Sequence, residues 1–165
     1  MATGHDNAKG NIGFLKSQYT RNKSAGEKAL AFEFLTKFIG YDELSVLVRS
    51  AQLPATGRTD VEDYGPMGLM FVQHGALENS GEITLMVAET IKGVALKHIR
   101  DIVLNKKYVD IEISLTPEST GGKPGQEQTR LLRDCKIRSD VIELSTEDQA
   151  AIVKPTITVR YNWID

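Results

Sequence analysis

A chain of 165 residues, 41% apolar and 25% charged, has enough Val, Ile, Leu and Phe to fill one globular core and too little length for two. A net charge of −2 and a pI near 5.9 exclude the broad basic surface that grips nucleic-acid phosphates. The lone Cys135 cannot form an internal disulfide, which suits a reducing compartment and cytoplasmic synthesis.

The N-terminal stretch Met-Ala-Thr-Gly-His-Asp-Asn lacks the basic start and apolar run of a signal peptide, so none is expected. No run approaches the roughly 20 apolar residues of a membrane helix, so no membrane partner is expected. Asn22-Lys23-Ser24 matches a glycosylation sequon that has no weight without secretion. Residues 1–27 mix Gly, Asn, Lys and Ser around Ile12, Phe14, Leu15 and Tyr19, which predicts an arm that docks on a partner surface. Residues 28–165 form the domain proper.

From Leu30 the pattern takes period two, predicting a strand with Leu30, Phe32 and Phe34 on one side. The segment Tyr41 to Pro54 reads as a short turn leading into a second strand that ends at Pro54. Gly57, Gly65 and Pro66 mark residues 55–66 as an exposed loop. Gly68–His74 and Glu82–Val87 read as two strands of one hairpin, with Asn79-Ser80-Gly81 as the turn. Ile91, Val94, Ala95, Ile99, Ile102 and Val103 then fall on one face of a 3.6-residue repeat, predicting one helix over about 89–104 with Thr90 as N-cap.

Strict alternation resumes at Tyr108–Leu115, with Val109, Ile111, Ile113 and Leu115 facing a core and Asp110, Glu112 and Ser114 facing away. Residues 117–128 are loop by composition. Arg130–Arg138 is a strand whose inward face Arg133 interrupts, and Asp140–Leu144 reads as its continuation. A last strand, Thr156–Trp163, buries Ile157, Val159, Tyr161 and Trp163. About seven strands and one helix predict a mainly β fold, a β-sandwich or barrel with one packed α-helix.

The search for chemistry returns little. His5, His74 and His98 have no spacing that puts two on one metal, and no second cysteine joins Cys135. No Gly-x-Ser-x-Gly elbow presents a nucleophile. Gly121-Gly122-Lys123-Pro124 lacks the spacing and the hydroxyl residue of a phosphate loop. Asp110 and Glu112 share a strand face, where a solvated polar face is the ordinary explanation. No catalytic residue, cofactor or metal ligand is assigned, and no enzymatic activity is expected.

One stretch carries more information. Phe32-Glu33-Phe34 precedes Leu44-Ser45-Val46-Leu47-Val48-Arg49-Ser50-Ala51-Gln52-Leu53-Pro54, and the chain runs on through Gly57-Arg58 to Glu62-Asp63. Together with the order of elements over residues 30–164, this resembles the tail tube proteins of contractile-tailed bacteriophages and the related type VI secretion tube proteins. The resemblance implies hexameric rings whose strands join into one continuous barrel, and rings that stack into a tube delivering DNA to the host. It implies contacts with other copies, with sheath and baseplate proteins, and with DNA that passes without specific binding. It also implies a place in the virion after synthesis in the host cytoplasm.

On that resemblance Asp110, Glu112 and Ser114 are candidates to line the lumen, where acidic and small polar groups repel sliding DNA. Ile12, Phe14, Leu15, Tyr19, Arg58, Asp60 and Tyr64 are candidates for contacts between subunits. Two alternatives remain open on the sequence: a baseplate or tail-completion protein of the same fold, and a β-sandwich module that binds carbohydrate or peptide. The latter would expose clustered aromatics, which at 7% of this chain are few.

Overall fold

The computed structural model describes residues 9–165, so His5 lies outside the described residues. The chain divides into two compact units, one ending at Leu30 and the other spanning Ala31–Asp165.

In the first unit the N-terminal arm contains a helix, α1 (Ile12–Ser24). Its ends are encoded locally. The Asn11 side chain accepts the Phe14 N–H at 2.9 Å, and Arg21 and Lys23 sit in the last turn, where cations favour the negative end of the helix dipole. None of its residues is buried.

The second unit is mostly β. In chain order it contains β1 (Phe34–Phe38), α2 (Asp42–Val46), β2 (Val48–Ser50), β3 (Arg58–Tyr64), β4 (Met70–Leu77), β5 (Gly81–Val87), α3 (Val94–Leu104), β6 (Val109–Leu115), β7 (Thr129–Ser139), β8 (Thr156–Tyr161) and β9 (Trp163–Ile164). Seven strands form one antiparallel sheet in the order β1-β6-β7-β8-β5-β2, with β9 beside β7. The sheet curls into a nearly closed barrel. The two edge strands β1 and β2 come round to line one groove, with Phe34, Ile113 and Leu115 on one side and Arg49 and Ser50 on the other.

The interior is one apolar cluster that takes Phe38 from β1, Ile83 and Leu85 from β5, Ile111 from β6, Leu132 from β7, and Ile157 and Val159 from β8. Ala95, Ile99 and Ile102 of α3 complete it, packing against α2 and β7. Burial of this apolar surface drives the unit together.

Several elements differ from the sequence reading, each for a physical reason. The first strand begins at Phe34, because residues 31–32 turn and leave Phe32 exposed; Thr36 and Phe38 face the core. The expected turn and strand over 41–54 is α2 followed by a three-residue β2. Helix α3 starts at Val94 and not near Glu89, since Gly93 adopts φ +72°. Thr90 is not its N-cap residue, although its hydroxyl does accept the Val94 N–H at 3.3 Å. The Glu89 carboxylate does more, accepting from Ala95 at 3.0 Å and Leu96 at 2.7 Å.

The expected loop 55–66 holds strand β3, and β4 pairs with it rather than with β5. β5 pairs instead with β8 and β2. No strand continues through 140–144; Val141 and Leu144 are exposed. The final alternation breaks at Asn162, so Trp163 is half-exposed on β9 instead of buried.

Candidate assembly surfaces

The β3–β4 ribbon lies outside the main sheet. Its strands make their extensive contacts with each other, and every residue of β3 is exposed. Opposed pairs set its two faces: Asp60/His74, Glu62/Val72 and Tyr64/Met70 on one, Val61/Gln73 and Asp63/Phe71 on the other. At the tip the Gly65 N–H donates to Leu69 O at 2.9 Å, and Met67 takes φ +62°, a left-handed conformation uncommon for a non-glycine residue. Met67 is 98% exposed and Leu69 73%, so the tip presents apolar side chains to solvent.

At the base the register slips between Arg58 and Asp60, leaving Thr59 opposite a bulge at Gly75–Ala76. The Thr59 hydroxyl accepts the Ala76 N–H at 2.9 Å, and Arg58 donates to Gly75 O at 3.2 Å. A two-stranded ribbon exposed on both faces is by itself marginal in water.

The barrel edges supply a second surface. β1 pairs only with β6 and β2 only with β5, so neither has a strand on its other edge among the described residues, although at the end of β1 the Phe38 N–H donates to Ser45 Oγ of α2 at 2.8 Å. The groove between them, about 530 Å³, is bordered by Phe32, Phe34 and Leu53. Free strand edges flanked by apolar side chains are templates for pairing with another chain.

The three acidic and small residues on the outer face of β6 have different environments. Asp110 belongs to a bulge in β7. Its Oδ1 accepts the Asp134 N–H at 2.9 Å and its Oδ2 accepts from Arg133 at 3.1 Å, while Asp134 adopts φ +50°. Arg133 donates also to Asp165 at 2.7 Å, and hydrogen bonding to Arg133 holds the Asp165 carboxyl below the usual carboxylate range. Asn162 ties into the same bulge through Asp134 O at 2.8 Å. The bulge is why Arg133 interrupts the inward face: Val109 pairs with Cys135 but Ile111 with Leu132, so one extra residue is absorbed there.

Glu112 is partly exposed opposite Lys37 and Leu131. Ser114 is buried at 4%, in a shallow site shared with Gly122 and Pro124 of the 117–128 loop. Asp110 and Glu112 are therefore both partly exposed, and Ser114 is the covered member of this face.

Of the inter-subunit candidates, Arg58, Asp60 and Tyr64 all lie on β3 and are exposed. Ile12, Phe14, Leu15 and Tyr19 lie on α1 and are also exposed, at 57–75%. Sequence reasoning missed β4's share of the ribbon, above all Met70, Phe71 and Val72, because it assigned that strand to a different hairpin.

Elsewhere the chemistry is quiet. Among the described residues no group of three His, Cys, Asp or Glu side chains could hold a metal ion. His98 bonds to Glu43 at 3.0 Å and meets the Tyr41 ring edge-on, joining α3 to α2. Cys135 is fully buried, and burial pushes its thiol up to about 12, so it carries no thiolate at neutral pH.

A chain of the extracellular contractile injection system PVC sheath/tube terminator, in the extended state, superposes with a TM-score of 0.66 at 18% identity. The match covers 84% of this chain and 96% of that one. The fold is that of contractile injection system components. A chain of the PVC sheath-tube complex matches at TM-score 0.61 and 18% identity, over 88% and 95% of the two chains. One from the 6-fold symmetrised baseplate of the anti-feeding prophage matches at 0.58 and 11%, over 85% and 95%. No protein-family profile and no curated protein matches the sequence. No described helix is long and apolar enough to cross a membrane, which says nothing about strands.

Proposed function

We propose that this chain is a structural tube subunit of a contractile-tail assembly, without enzymatic activity. Copies join side by side into hexameric rings through the free edges of β1 and β2, and the rings stack through the β3–β4 ribbon into a conduit that carries DNA. The observation that carries this reading is incompleteness: a chain with a finished barrel core still leaves two strand edges without a partner strand, an open apolar groove and an exposed ribbon among the described residues. A lateral contact that closes by rotation gives a ring, and a head-to-tail contact that does not close gives a filament; two distinct uncovered surfaces match those two needs. Sheath and baseplate proteins are the expected partners outside the ring stack, by analogy with the assemblies in which the similar folds occur.

Within the lumen reading, Glu112 is the residue to test, since Asp110 also holds the β7 bulge and Ser114 is covered. Glu112→Lys is expected to assemble normally and to impair DNA delivery; normal delivery removes Glu112 from the channel.

Negative-stain electron microscopy of the purified protein tests the proposal directly. Rings or hollow rods are expected, and a species that stays monomeric at every concentration and with candidate partners overturns it. A second reading, a terminator or baseplate ring, is favoured by the terminator and baseplate structures among the similar folds. Single rings that never stack would select it.

A further inference from the structure

One cavity takes no part in the assembly reading. Its volume is about 380 Å³, and its walls come mainly from three stretches far apart in sequence: Glu78 and Asn79 in the β4–β5 turn, the end of the 117–128 loop with the start of β7, and β9. That size is at the small end of ligand pockets, which run from about 300 to 1,000 Å³. Trp163, the one tryptophan of the chain, lines it.

Trp163 is held in place by its own neighbours. Its backbone pairs with Arg133 on β7, and its indole N–H donates to Asp165 Oδ1 at 3.0 Å. Asp165 is fixed in turn: its Oδ2 accepts from Arg133 at 2.7 Å, and its backbone N–H donates to Leu131 O at 2.8 Å. The indole has no second donor, so the ring, 46% exposed, has only its apolar face left to offer. A platform fixed in this way loses little freedom when a ligand binds.

The polar groups around it are of both kinds. Glu78 and Glu127 supply acceptors, and neither belongs to an ion pair among the described residues. Asn79 spends its Nδ2 on Asn162 O at 2.9 Å and keeps its side-chain carbonyl. Arg130 spends Nη1 on Glu127 O and Thr129 O, each at 2.9 Å, and keeps the donors of its other nitrogens. A cation placed here meets Arg130, and an anion meets the two carboxylates. A neutral molecule with an apolar face and a rim of hydroxyls, each donor and acceptor at once, satisfies all of them. A sugar ring has that chemistry.

We infer that this cavity is a saccharide subsite, in which Trp163 takes the C–H face of one pyranose ring and Glu78, Glu127, Asn79 and Arg130 take its hydroxyls. This binding function goes beyond the assembly reading and does not depend on it. One platform in place of an aromatic cluster makes the site weak: for roughly a dozen ligand atoms the dissociation constant is on the order of 1 mM.

The lone tryptophan makes the test direct, because indole emission reports this cavity alone. Titration of the full-length protein with glucose, galactose, mannose and N-acetylglucosamine is expected to give a saturable change with at least one of them. Sorbitol, which has the hydroxyls but no ring, is expected to give none, and neither are methylammonium and inorganic phosphate, which offer charge without a C–H face. Ligand-observed NMR follows two variants, with an unchanged melting temperature verifying the fold. Trp163→Ala is expected to abolish saturation transfer to the sugar, and Glu78→Ala with Glu127→Ala to weaken binding by about tenfold or more. No saturable change with any of the four sugars, an equal response to sorbitol, saturation by methylammonium or phosphate instead, or undiminished binding in either folded variant overturns the inference while leaving the tube reading standing.

Discussion

Gly75 is the position where the smallest change should separate assembly from folding. A Cβ placed there would lie 2.5 Å from Thr59 Oγ1, 2.8 Å from the Thr59 carbonyl oxygen and 2.9 Å from Val61 Cγ2, where ordinary contacts begin near 3.4 Å. The hydroxyl can rotate away, but only by losing its bond to the Ala76 N–H. The carbonyl is backbone and has no such freedom. Overpacking of this kind costs about 1–3 kcal/mol.

In a core that cost would be a modest loss; in a ribbon of marginal stability it decides the outcome. At tenfold per 1.4 kcal/mol, Gly75→Ala shifts ribbon opening by roughly 5- to 150-fold. Hydrogen exchange measures it: amides of β3 and β4 should exchange faster by that factor, while those of β6 and β8 keep wild-type protection. Stacking, scored by rods in the microscope, should fall with it. Wild-type exchange in the ribbon, or an equal acceleration in the barrel, refutes the claim that the ribbon is a separate and marginal element.

Three further outcomes follow from the barrel. Glu89→Ala removes the carboxylate that accepts the Ala95 and Leu96 N–H groups at the positive end of α3, and should lower stability by about 1–2 kcal/mol in urea unfolding. Hydrogen bonding to Lys107 and to Arg133 lowers the folded pKa of Asp101 and Asp165 below the ordinary 3.8. Their contribution is therefore present above about pH 4 and lost as pH falls through the lowered folded values. The melting temperature of Asp101→Asn with Asp165→Asn should fall less steeply below pH 4 than that of the wild type; parallel curves would show that these pairs do not matter. Cys135, with its thiol pushed up to about 12, should resist a thiol reagent at pH 8 until the chain is unfolded in denaturant.

How much was legible depends on whether an element buries one side of itself. β6, β8 and α3 do so against a single core, and their apolar periods of 2 and 3.6 were visible in Val109–Leu115, Ile157–Tyr161 and Ala95–Ile102. β3 and α1 contain no buried residue, so Arg58–Tyr64 looked like loop and Ile12–Ser24 like part of an arm. Arg133 was noticed as an interruption, but one-dimensional pattern could not say that it marks a bulge clamped by Asp110 and Asn162.

The amino-acid order by itself determined a β-rich unit with its core residues and one amphipathic helix, because solvent exclusion acts on each strand face locally and leaves a period. Which strands pair was decided only in three dimensions. β5 crosses to β8 through contacts that no local window contains, whereas β4 turns back on β3 in a local hairpin that was missed because β3 buries no face and leaves no apolar period. The acidic face of β6 shows the same division. Alternation placed Asp110, Glu112 and Ser114 together, but the β7 bulge and the 117–128 loop, each brought in from distant sequence, left Glu112 as the member with solvent access not committed to the bulge.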